Sequence, residues 1–258
     1  MTFLGYQNHN QGEFRVKNQF ARARIVGRLL LAVACVSGGL LAISKAFAAG
    51  ETMFHGTVTK ISDGDTIKFR NGSARKNANP MTIRLVGIDT AETYFERKSQ
   101  GYWGEEAKRQ LENMIPINTP ISVRSSELDK YGRALGTIYA SDVDINLKMV
   151  RLGFAIPYFI CSGIGCNKGF LERERVAEYF EACDEARDNE RGIFDPSNPL
   201  ELMPFEFRLK VKGERHKRHV GDYDTRKLHS PSDYKQIDVC RRVFFDDADD
   251  ASAVGFQK

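Results

Sequence analysis

Three short stretches of this chain carry side chains whose types suit joint chemistry. The first is Asp63-Gly64-Asp65-Thr66. The second runs from Arg84 through Asp89, Thr90 and Glu92 to Thr93, and the third is Asp129-Lys130-Tyr131-Gly132-Arg133. Each has an ordinary explanation when taken alone. An Asp-Gly-Asp run is a common turn, Asp89 and Glu92 could cap a following helix, and Lys130 to Arg133 could be a hairpin loop. Together they match what hydrolysis of a phosphodiester demands. Acid-rich turns supply hard oxygen ligands for a cation such as Ca²⁺. A bound cation polarises the phosphoryl group and acidifies water. Glu92 can accept or orient the water proton, and Arg84 with Arg133 can grip phosphate through paired N–H donors.

Elements must bring these stretches together. Alternating apolar and polar residues predict strands over residues 53–61 and 66–70, joined at the turn 62–65. Further strands are predicted over 81–88, 121–124 and 135–139, with a polar loop at 71–80. Ala107, Leu111 and Met114 recur at helical spacing and predict a helix over 104–114. Asp144 is placed to cap a second helix carrying Leu147, Val150 and Arg151, which Gly153 would end. A third, long helix is predicted over 170–191. The fold class is therefore α+β, mainly β: a five-stranded barrel of OB-fold type with about three packed helices, plus a small C-terminal extension.

The order DGDT, then RLxxxDTxET, then DKYGRxLxxIY resembles the active-site signature of the staphylococcal (thermo)nuclease family, over about residues 52–196. The resemblance implies an OB-fold barrel and calcium-dependent endonucleolytic cleavage of DNA and RNA. Carried over residue by residue, Asp65, Asp89 and the Thr90 carbonyl would hold Ca²⁺, with Asp63 nearby as an outer carboxylate. Glu92 would be the general base, and Arg84 and Arg133 would clamp the scissile phosphate. Lys130 and Tyr131 would lie against the nucleotide's phosphate end, and Tyr158 or Phe159 would stack on its base. The chain departs from the family pattern at Ala91, where Pro is usual, which should loosen the loop holding Glu92. The 71–80 loop is expanded, and 161–168 also differs from short-loop members.

One geometric demand follows. Arg84 and Asp89 are five positions apart, so a straight strand would point them to opposite faces. Both must face one phosphate, so the strand has to bend, and Gly87 is the natural place.

The net charge of +4 says little about substrate. Six basic residues and one acid up to Ala48 account for +5, leaving about −1 for the rest. That segment reads as an export signal: a basic region to Arg28, an apolar stretch over 29–44, then Ala46-Phe47-Ala48. An uncleaved membrane anchor is the other reading of it. Taking 1–48 as signal or anchor, the sequence divides into a nuclease-like domain over 52–198 and an extension over 199–258 of unknown role, with Pro196 and Pro199 marking the boundary. The protein is expected outside the cytoplasm, periplasmic or secreted, as a monomer acting on DNA and/or RNA. Cys161, Cys166, Cys183 and Cys240 allow two disulfides, with the Cys161–Cys166 bridge favoured by proximity. In the extension, His216, His219, His229 and Cys240 fit no compact zinc spacing. Residues 208–227 carry eight bases against three acids, either extra phosphate contacts or a solvated basic surface. The alternative function is a catalytically silent nucleic-acid-binding OB-fold protein of the cell envelope. Against it stands the set itself, since clustered carboxylates repel phosphate unless a cation bridges them.

Overall fold

The computed structural model describes residues 52–75 and 78–258, which lie in one compact unit. The proposed signal or anchor lies outside the described residues. Among those described, no helix is long and apolar enough to cross a membrane.

Three strands open the fold: β1 (Thr52–Asp63), β2 (Thr66–Asn71) and β3 (Met81–Leu85). In β2 the alternation is plain, with Ile67 and Phe69 buried and Lys68 and Arg70 exposed. A short strand, β4 (Gly87–Thr90), follows after one residue, and then helix α1 (Tyr102–Met114), which turns Trp103, Ala107 and Leu111 inward. Next come β5 (Pro120–Leu128), β6 (Ala134–Ala140), β7 (Val143–Asp144), α2 (Ile145–Arg151) and β8 (Ala155–Cys161). The Asp144 carboxylate caps α2 by accepting from the Leu147 amide at 2.9 Å, as its sequence position suggested.

The first sheet runs β3-β2-β1-β5-β6-β7, and a parallel β3–β6 pairing closes its first five strands into a barrel. Val58, Ile67, Phe69, Ile83, Val123 and Ile138 fill the closed core with no exposed surface. This is the OB-fold barrel expected from the sequence, α+β and mainly β, though it carries more helices than the three predicted.

The single long helix predicted over 170–191 is instead two: α3 (Phe170–Arg173) and α4 (Val176–Asp188). Arg175 breaks it with a left-handed backbone (φ 54°). That turn sends its guanidinium to Asp144 at 2.7 Å, tying the break to the cap of α2. Regular helical spacing in the sequence could not reveal this non-local ion pair.

Beyond the prolines, the chain stays in the same compact unit. It forms α5 (Pro204–Lys212), β9 (His219–Asp222), β10 (Leu228–His229), β11 (Arg242–Phe245) and α6 (Ala248–Ala253). β11 lies parallel to β8, and a second sheet runs β10-β9-β11-β8-β4. Every residue of β11 is buried, which explains its run Val-Phe-Phe. Disulfides join Cys161 to Cys166 and Cys183 to Cys240, the second linking α4 to the residues just before β11.

Candidate active site

The site forms where the chain leaves the barrel. β3 ends at Leu85, Val86 turns, and Gly87 starts β4 with φ +73°. β3 belongs to the barrel, whereas β4 pairs with β8 in the second sheet. The bend demanded by Arg84 and Asp89 is thus a change of sheet. A side chain at Gly87 would also meet the Phe159 ring at 2.8 Å. Asn146, fully buried, holds the turn by donating to the Val86 and Gly136 carbonyls (2.9 and 3.1 Å) and accepting from the Ile138 amide (3.1 Å). No motif marked Asn146, because its role depends on joining the nearby strand β6 to the Val86 carbonyl 60 residues away.

Across the bend the side chains meet. Arg84 donates from Nη2 to Asp89 Oδ1 at 3.0 Å and pairs through Nη1 with Asp65. Asp65 Oδ2 also accepts from the Thr90 amide (3.2 Å) and hydroxyl (3.0 Å). Gly64 allows this approach: a Cβ there would sit 2.8 Å from the Thr90 hydroxyl. Asp63 Oδ1 accepts from the Gly64 and Thr93 amides. The loop carrying Glu92 is tied down despite Ala91. The Glu92 amide donates to the Gln100 side chain and its carbonyl accepts the Gln100 amide, while Gln100 Nε2 reaches the Leu202 carbonyl at 2.8 Å. The loosening expected from Ala91 is therefore offset by Gln100, eight residues on.

A cleft of about 1020 Å³ opens over this cluster, lined by Asp63, Asp65, Arg84, Glu92, Lys130, Tyr131, Arg133 and Tyr158 among others. Asp89 and Thr90 lie beneath it, buried. Tyr131 is exposed, with Lys130 Nζ and the Arg133 guanidinium 5.1 and 5.5 Å from its ring. Arg133 is held by Asp129, which accepts from its Nε at 2.7 Å. Of the two candidates for base stacking, Phe159 is core, edge-on to Tyr179 and Phe180. Tyr158 reaches the cleft, with its ring stacked on Phe205.

The carboxylates of Asp63, Asp65, Asp89 and Glu92 gather at the floor of this otherwise basic cleft. Burial, with Asp65 and Glu92 nearby, pushes the Asp63 carboxyl up to about 7. Burial also raises Glu92, against the pull of Arg208. Such a set of hard oxygen donors, without thiolates or imidazoles, fits a calcium ion in kind. Yet no three of the His, Cys, Asp and Glu side chains among the described residues are already arranged around one ion position. Arginines stand between them. Arg208, from α5, donates to both oxygens of Asp89 (2.9 and 2.8 Å) and to Glu92 at 2.6 Å. The second arginine on the carboxylates is therefore Arg208, whose only sequence signal was the basic run 208–227.

Residues 82–195 match the model of the staphylococcal nuclease homologue family. A protein of Escherichia coli O157:H7 named as an uncharacterized endonuclease is 30% identical over 147 residues, covering 57% of this chain and 80% of that one. Endonuclease YhcR of Bacillus subtilis (strain 168) is 32% identical over 231 residues, 85% of this chain. The chain spans 18% of that relative's length. Protein ParB of Escherichia coli is 28% identical over 195 residues, 72% of this chain and 94% of that protein. With this barrel and these matches, the chain belongs to the staphylococcal nuclease homologue family.

Proposed function

We propose that this protein is a calcium-dependent endonuclease hydrolysing phosphodiester bonds of DNA and/or RNA. The observation that carries the reading is the meeting of Asp63, Asp65, Asp89 and Glu92 with Arg84 beneath one cleft, drawn from both sides of the Gly87 bend. Asp65, Asp89 and the Thr90 carbonyl would hold the ion, which when bound withdraws charge from the phosphoryl group. Glu92 takes a proton from the attacking water onto a carboxylate oxygen. Arg84 and Arg133 hold the phosphoryl oxygens as negative charge builds on them. Lys130 and Tyr131, at the cleft's rim, orient the neighbouring phosphate, and Tyr158 limits the space for the base. The protein acts as a monomer in this reading.

The test is hydrolysis of DNA and of RNA by the purified chain, with calcium or with chelator, beside Glu92→Gln. Chelator should abolish cleavage; cleavage that persists in chelator would sink the mechanism.

We also infer export to the periplasm or medium, or anchoring with the domain outside the cytoplasm. Two disulfides support an oxidising compartment, and the pattern over 28–48 supports the route. The mass of the protein isolated from its host separates cleaved from anchored forms, and a reduced, full-length cytoplasmic protein would refute both.

A further inference from the structure

Helix α5 does something that barrel and carboxylates alone do not require. It places a guanidinium on two of the acidic side chains proposed to serve the cation and the water. Arg208 donates to both oxygens of Asp89, and Asp89 Oδ1 also accepts from Arg84. Arginines thus supply three donors to the two oxygens of a fully buried carboxylate, which offers about four acceptor positions. The same Arg208 Nη1 binds Glu92. A cation drawing on Asp89 competes with these donors.

Arg208 is the one built to leave. Arg84 sits on the bend of the barrel wall and is shared between Asp65 and Asp89. Arg208 reaches in from outside, and 23% of its side chain is exposed, against 15% for Arg84. Its helix is held independently of the carboxylates. Phe205, one turn earlier on the same face, is buried among Tyr158, His216, Tyr234 and Phe244. Lys212, one turn later, lies 5.4 Å from the Phe95 ring. The backbone can therefore stay in place while the long side chain swings into the cleft.

Charge balance gives the reason for such a residue. Asp65, Asp89 and Glu92 crowd together in a partly dry site, where like charges repel strongly unless countered. Arg84 alone does not neutralise them. We propose that Arg208 is an internal counter-ion that competes with calcium for Asp89 and Glu92, so that α5 sets the calcium affinity of the site. It holds the two carboxylates in position when the ion is absent. When the ion binds, the guanidinium is released towards the cleft, where substrate phosphate would lie. Arg208 is in this sense a positioning residue, and the inference rests on the calcium reading given above.

Calorimetric titration of calcium chloride into the purified full chain tests it, comparing the wild type with R208Q, R208K and D89N. R208Q should bind calcium with a Kd lower by roughly tenfold or more, because its charge-assisted competitor is gone. R208K, which keeps the charge but loses the fork, should fall between the two. A misfolded variant would not bind the ion more tightly, and R208K keeps the comparison open if R208Q fails to fold. Equal or weaker calcium binding by R208Q and R208K, with D89N reduced, overturns the role of Arg208 and leaves the calcium reading standing. Absence of calcium binding in the wild type and both Arg208 variants overturns the calcium reading and this inference together.

Discussion

Asp89 is fully buried and ionic, an arrangement that costs several kcal/mol unless its partners are well placed. Here Arg84 and Arg208 supply three donors to its two oxygens. Asp63 has no arginine partner among the described residues, and its carboxyl is lifted by burial, Asp65 and Glu92 to about 7 from an ordinary 3.8. The folded chain therefore holds that proton more tightly than the unfolded chain does. Its contribution to stability is full below about pH 4 and is lost as the pH rises through 7. Asp63→Asn, which keeps an oxygen for the Gly64 and Thr93 amides, should raise the Tm of the calcium-free protein at pH 8. Thermal melts in chelator across pH should show the gain shrink towards pH 4; an equal gain at both ends would refute the assignment. For catalysis, Glu92→Gln should lower turnover by roughly 100-fold or more with a near-normal melt. Steady-state cleavage of an oligonucleotide measures this directly.

At the scale of elements, the break between β3 and β4 makes the site. A continuous strand would send Arg84 and Asp89 to opposite faces. The turn at Val86 moves the chain from the barrel to the second sheet and swings Asp89 back over Arg84. Gly87→Ala puts a Cβ against Phe159 at a backbone angle suited to glycine. It should destabilise the fold by about 1–3 kcal/mol and reduce turnover through displacement of Asp89. A melting curve and a kinetic assay together check both effects. Asn146→Ala, which leaves the Val86 and Gly136 carbonyls and the Ile138 amide without their shared partner, should cost about 1–3 kcal/mol. Chemical denaturation would report it.

At the scale of the molecule, the segment after Pro199 completes the structure that holds the site. β11 joins the sheet of β4 and β8, and α5 reaches the carboxylates. The Cys183–Cys240 bridge closes 57 residues of chain around this attachment. Replacing both cysteines by alanine should lower stability by ~2–4 kcal/mol and loosen α5. Denaturation of the variant beside the oxidised wild type tests the size of the effect. A greater sensitivity of α5 amides to hydrogen exchange tests its location.

The sequence by itself determined the barrel, the three clusters around the cleft, the Asp144 cap and the need for a bend at Gly87. These rest on local alternation, helical spacing and turn chemistry, which short stretches of chain contain. Tertiary structure alone decided the rest. The break at Arg175, the Asn146 bridge, the Gln100 tie that steadies Glu92 and the placing of Tyr158, but not Phe159, at the cleft each depend on a partner far along the chain. Arg208 is the clearest case. It sits in a basic run whose charges look alike, and only the packing of Phe205 under Tyr158 and Phe244 sends that one guanidinium onto Asp89 and Glu92. Composition records that a charge exists, but burial and distance decide which charge it meets.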